Sequence, residues 1–536
     1  VRIAILLLMF IQISVLSSAQ DLISRTMEGL SCQSTEEPNA ISKKISPFKA
    51  SHEINLFSWD NRKATYEEDR VSLKLNRGLL RQLKSTESGQ ISIDIPVSPD
   101  RSFSLQVYPV QIQSSDGQLL TPDGPIKSQN KMRFFRGVIE GDHGSLVTVS
   151  MINEDVQFSI ADQDGVYRIA PADFKSDLYA IWVDRSQSER TMSCGTDQLL
   201  HEEISTVHYP VTNNRKAADD IIEVYIECDN RLRSNKGGVP NTEIFVNQLM
   251  AEVITLYANE NINMQVSDIF VWTSPDPYAN NQNLGVVLPQ FATNKQNNYN
   301  GRLATLLKGD IANNPNSCSV AGLAWINVLC GTYQNHPTYG ISGPYNANTG
   351  VGDCPLTSNP TVASEAIDVS LVAHELGHNI GSPHTHSCSW GPNNNQAIDM
   401  CPGFFDNGPC TLVTTPTPPN ELSTIMSYCD NAGIPTVFSK GFGTEPGNLM
   451  RNRVAAASCL LAPGPSCTEN NLVYNGGTVP NNTVEYSNSN ITLNNSVSIA
   501  NNATVFWQAE NEFVVNGDFT VPGSSVLEVV SDECQE

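Results

Sequence analysis

Between residues 20 and 216, apolar and polar positions alternate in short runs, as in Ile91-Ser92-Ile93-Asp94-Ile95 and Ser145-Leu146-Val147-Thr148-Val149. A period of two puts every second side chain on one face, so the pattern predicts strands separated by Gly and Asp turns, a β-rich unit. From residue 217 to 463 the rhythm changes. Ile221–Ile226 reads as an opening strand, and Asn241 or Thr242 as the cap of a helix whose apolar face includes Ile244, Leu249, Val253 and Leu256. A second strand follows at Ile262–Trp272, and Ala366–Asn379 has helical spacing, with Ile367, Leu371, Val372 and Leu376 available for packing. Strands and helices thus share this segment. Beyond Gly381 the chain is rich in Asn, Pro and Gly and reads as loop-built. After residue 464, short runs such as Ile491–Leu493, Thr504–Trp507 and Val526–Val529 stand between Asn-Asn, Asn-Gly and Pro-Gly turns and predict a small all-β appendage.

The predicted helix at Ala366–Asn379 carries the chemistry. His374 and His378 lie four residues apart, on one helical face, with Glu375 beside them. Two imidazoles supply two metal ligands, and a catalytic zinc takes three protein groups and keeps a fourth position for water. His384 is the candidate third ligand. To bring it back, the chain must turn sharply after Ile380, and Gly381 can take the left-handed conformation such a turn needs. His386, two residues further on, is the rival for that position.

The run from His374 through Glu375, His378 and Gly381 to His384 resembles the signature of the metzincin zinc endopeptidases, and within that clan the chain looks most like the secreted bacterial relatives of the reprolysin (adamalysin-like) group. Pro383-His384-Thr385-His386-Ser387-Cys388-Ser389-Trp390 is similar to that bacterial type, although Thr385 stands where adamalysin-like enzymes usually have Asp. The resemblance implies an α+β catalytic domain with a twisted mixed sheet and a zinc cleft. It implies a methionine turn beneath the metal, matched by Met426 in Ser423-Thr424-Ile425-Met426-Ser427-Tyr428, a sequence closer to the serralysin and astacin turn. The implied reaction is hydrolysis of peptide bonds by zinc-bound water, with Glu375 as general base and then acid, and Tyr428 as donor to the developing oxyanion. Ser319–Trp325 looks like the clan's edge strand, able to pair with an extended peptide; an interior strand fits the same residues.

The β-rich unit is similar to reprolysin-type propeptides, which implies a zymogen. Cys194, in Met192-Ser193-Cys194-Gly195, would then fill the water's place as a thiolate, as in a cysteine switch. A disulfide from Cys194 to Cys32 is the alternative. Arg215-Lys216 is a candidate activation cut. The last segment resembles stacked β-coil modules at the ends of secreted Bacteroidota proteins, a part for surface or substrate contact or a stabilising cap.

With 536 residues the chain should hold several domains: a signal peptide over 1–19, with Arg2 before an apolar run and a small-residue exit at Ser17-Ser18-Ala19; a propeptide over 20–216; the protease domain over 217–463; and the β module over 464–536. This predicts export and no stable membrane insertion. A net charge of −24 argues against nucleic acid as a partner, and the resemblance implies proteins and peptides as substrates. Thirteen cysteines in an exported chain imply disulfides. Nine fall within 217–463, so one of those pairs elsewhere or stays free. Calcium is open: Asp399 and Asp406 could bind it, but no loop motif demands it. Two other classes fit less well, an adhesive module on the same scaffold without turnover and a zinc amidase acting on small molecules or cell-wall peptides.

Overall fold

The structure is a computed structural model. It describes Ile41 and most of 52–531; residues 1–40, 42–51, 60–70, 86–89, 99–100, 173–176, 190–191, 195, 197–220, 279–283, 296–298, 310–319, 331, 334–335, 338, 344–363, 402, 404, 407–408, 413–422, 430–433, 435, 458, 461–470, 481–482, 488, 510–511 and 532–536 lie outside the described residues. The expected signal peptide, Cys32, the Arg215-Lys216 pair, Cys318, Cys354, Cys467 and Cys534 are therefore outside them too.

The alternating N-terminal segments form a ten-stranded sheet, antiparallel except where His52–Ile54 runs parallel to Ile91–Ile93. Its period of two has a consequence, since both faces are covered. Phe135, Val147 and Val149 point into the sheet's own core, whereas Phe134, Val138 and Leu146 join the core built around the helix Val239–Asn259. That helix is buried along most of its 21 residues because it lies between this sheet and a second one. It begins at Val239 with Gly238 as cap, not at the expected Asn241 or Thr242. Pro240 sits in its first turn, where a fixed φ and a missing N–H cost nothing, so the helix starts one turn earlier than the polar pair suggested.

The second sheet has eight strands. Ile221–Cys228, Asn263–Val271, Leu303–Leu307 and Tyr339–Gly343 run parallel, and Val320–Ala324 is antiparallel to Tyr339–Gly343. Both of its ends come from the N-terminal part of the chain. The hairpin Leu119–Thr121 with Gly124–Ile126 extends it beside Asn263–Val271, and Met192–Cys194 closes it beside Val320–Ala324.

Buried polar ties lock the first sheet to two helices. Arg168, from the first sheet, reaches Glu252 on the long helix at 2.6 Å and Asp184 at 2.9 Å, with side-chain exposures of 5% to 9%. Asp184 Oδ2 accepts from Ala366 N and Ser186 Oγ from Ile367 N, which satisfies the first amides of the helix Ala366–Ile380. Arg168→Ala would leave Glu252 and Asp184 buried without their cation, and should lower the stability of the intact chain by about 3–5 kcal/mol. Urea unfolding of the variant against the parent checks this.

The C-terminal residues form three small sheets of three parallel strands each, stacked as coils. The Asn-Gly and Asn-Asn turns are corners between sheets and not hairpins. Trp507 fills the coil's centre, and side-chain amides run up one corner from Asn475 to Asn494 to Asn516 at 3.1 Å each.

Candidate metal centre

His374, Glu375 and His378 sit on the helix Ala366–Ile380, which is buried throughout. Gly381 ends it at φ 117°, left-handed, with its N–H bonded back to Gly377 and His378; a Cβ there would lie 2.4 Å from Arg453 Cδ. Only glycine makes that turn, and the chain then brings His384 back over the helix. Met426 lies beneath, so close that a Cβ on Gly377 would be 2.7 Å from its Sδ.

Each ring is aimed by its Nδ1. His374 Nδ1 is 2.7 Å from Ile425 O, His378 Nδ1 is 2.7 Å from Ser382 O, and His384 Nδ1 is 2.8 Å from Asp406 Oδ2. Those oxygens only accept, so each Nδ1 carries a hydrogen, and in a neutral ring Nε2 keeps a lone pair. Burial first, then repulsion from His384, pushes His374 down to about 3 and His378 well below its usual value, so both rings are neutral at pH 7. Yet His378 Nε2 lies 3.1 Å from the Nε2 of both His374 and His384. Between His374 and His378, both neutral, lone pairs facing each other at that distance repel unless a cation lies between them. Tetrahedral zinc with bonds near 2.0–2.1 Å sets its nitrogens about 3.3 Å apart. The residues present fit such an ion.

Cys194 is free, buried and the fourth member of the group; the four ligand atoms lie within 4.8 Å of one another. Its Sγ is 3.5 Å from His378 Nε2, against about 3.6 Å for sulfur and nitrogen on one tetrahedral zinc. Burial, then the charge of Glu375, pushes the Cys194 thiol up to about 12, so a thiolate here requires a cation beside it. Tyr428 does not point at open space: its hydroxyl accepts from Cys194 N at 3.0 Å and donates to Cys194 O at 2.9 Å.

Glu375 is 1% exposed and packs on the strand Val320–Ala324, where a Cβ on Gly322 would fall 2.0 Å from its Oε1. That strand is paired on both sides, so it is an interior strand and not a free edge. Its outer side carries Met192–Cys194 in parallel register, with Cys194 opposite Gly322. His386 is not among the four converging atoms; its Nε2 is 3.1 Å from Asp406 Oδ1. Asp406 therefore faces two histidines, while Asp399 Oδ1 accepts from Cys401 N, so the two carboxylates raised for calcium do not meet in one group. Disulfides join Cys388 to Cys410, Cys401 to Cys429 and Cys330 to Cys459, and Cys228 is a buried free thiol.

Fold and site together are metzincin-like, an α+β arrangement with three histidines and a carboxylate around one centre. Residues 218–438 match the family model Reprolysin_5, metallo-peptidase family M12, so this segment is reprolysin-like. The zinc metalloproteinase-disintegrin-like atrase-A of Naja atra is 23% identical over 301 residues, covering 52% of this chain and 44% of atrase-A. The zinc metalloproteinase-disintegrin-like BfMP of Bungarus fasciatus is 22% identical over 306 residues, covering 53% of this chain and 45% of BfMP. The chain thus spans less than half the length of these relatives. The solved metalloproteinase-II from Bacteroides fragilis aligns over 62% of this chain and 88% of its own at 10% identity and a TM-score of 0.34, a likeness too slight to argue from.

Proposed function

We propose that the chain is a secreted zinc endopeptidase of the reprolysin-like type held in latent form, with residues 217–463 as the catalytic part, 20–216 as its inhibitory propeptide and 464–536 as an appended β module. The convergence of three imidazoles and one thiol, with a carboxylate on the same helix, carries this reading. His374, His378 and His384 would hold zinc, which supplies a Lewis acid for the scissile carbonyl and acidifies a water. Glu375 takes the proton of the attacking water and returns it to the leaving amine. Gly322 leaves the space that the Glu375 carboxylate occupies. Tyr428 donates to the oxyanion once its hydroxyl is free of Cys194.

Latency follows from the same residues. Cys194 takes the place water needs, and its strand lies along the backbone groups of Val320–Ala324 that an extended substrate would use. Three disulfides among the described residues support an oxidising, extracellular setting, and no described helix is long and apolar enough to cross a membrane.

Metal analysis and cleavage of a peptide library by the processed protein test the proposal. One zinc per chain is expected, with hydrolysis lost to a chelator and restored by zinc. Hydrolysis that persists in fully metal-stripped protein, or zinc-loaded processed protein that cuts nothing, would overturn it.

A further inference from the structure

The three proposed ligands are not aimed by equivalent groups. His374 and His378 point their Nδ1 hydrogens at main-chain carbonyls, whereas His384 points its own at a carboxylate. Asp406 is 8% exposed and carries a second histidine on its other oxygen, His386, which is fully buried and stacked on His384 with ring centroids 4.9 Å apart and planes 8° apart. The backbone ties the same residues: Cys388 N donates to Asp406 O at 3.1 Å, and Asp406 N to His386 O at 3.2 Å. Two disulfides, Cys388–Cys410 and Cys401–Cys429, bracket this loop.

We propose that Asp406, clamped by His386 and by the disulfide-bracketed loop, is a positioning residue that fixes the tautomer of His384 and sets how tightly the centre keeps its metal. His386 then serves as the clamp and not as a ligand. The inference rests on the reading of His374, His378 and His384 as a ligand set. A carboxylate on Nδ1 makes the opposite nitrogen a stronger donor and holds the ring in the plane the metal needs. A carboxylate free to rotate would do neither. With one oxygen facing each ring and its main chain bonded to His386 O and Cys388 N, Asp406 is held in place from both its side chain and its backbone. Thr385 leaves no carboxylate next to the third histidine in sequence, so the loop supplies one from a distance.

The test uses the intact, zinc-loaded chain and follows transfer of zinc to a chromogenic chelator. Asp406→Ala should hold zinc about 10–100-fold more weakly than the parent. Asp406→Asn, which keeps an acceptor but not the charge, should fall between them, and His386→Phe should shift in the same direction by less. Urea unfolding of the metal-free chains separates positioning from folding: Asp406→Asn should match the parent there and differ only when metal is present. If Asp406→Ala does not fold, Asp406→Asn decides. Variants that retain zinc as the parent does overturn this inference alone. A parent chain that takes up no zinc overturns it together with the reading beneath it.

Discussion

Glu375→Gln should lower kcat of the processed protein by about 10²–10⁴-fold while KM and bound zinc stay near the parental values. The size follows from what is removed. Gln keeps the volume and planarity of the side chain, so the tight fit against Gly322 survives and the helix has no reason to move. What it loses is the ability to accept a proton from water and pass it to the leaving nitrogen, an interaction made only as the transition state forms. The other carboxylate of that helix, Asp368, lies two turns away in the capping box with Glu365, so it cannot take over. Steady-state kinetics on a fluorogenic peptide, with zinc measured on the same sample, decide the matter. Undiminished turnover in the variant would remove Glu375 as the base.

Cys194→Ala should raise hydrolysis by the intact, uncut chain at least about tenfold, which corresponds to about 1.4 kcal/mol of lost blocking contact. The thiol is the part of the blocking segment that reaches the three imidazoles, so its loss opens the position opposite them. Release stays incomplete, because the strand pairing with Val320–Ala324 and both Tyr428 bonds go to the backbone of Cys194, which alanine preserves. The parent needs a second readout, alkylation of Cys194. A buried thiol bound to metal reacts slowly, and stripping the zinc should change that rate. If the uncut variant is as silent as the parent while the cut variant is fully active, the strand and not the thiol maintains latency.

The helix Ala366–Ile380, its glycine stop and the return of the chain to His384 were legible because each is written in neighbouring residues: helical spacing, one positive-φ position and a fixed offset. The N-terminal strands were legible for the same reason. Contacts between distant residues were not. Asp406 stands 22 positions from His384, and Tyr428 meets Cys194 across 234, with no periodicity to announce either. Nor does any local pattern show that Leu119–Ile126 leaves its own sheet to extend another, since its hairpin signal is the same in either place. The missed helix start had a visible signal: Pro240 marked the first turn more reliably than the polar pair after it.

Because Leu119–Ile126 grips one margin of the eight-stranded sheet and Met192–Cys194 the other, scission anywhere between Thr196 and Ile221 would not by itself part the two pieces. It would exchange a tethered association, governed by effective molarity, for a bimolecular one that dilution weakens. Onset of turnover would then lag the cut and quicken as the nicked protein is thinned out. A concentrated store could stay quiet until it disperses.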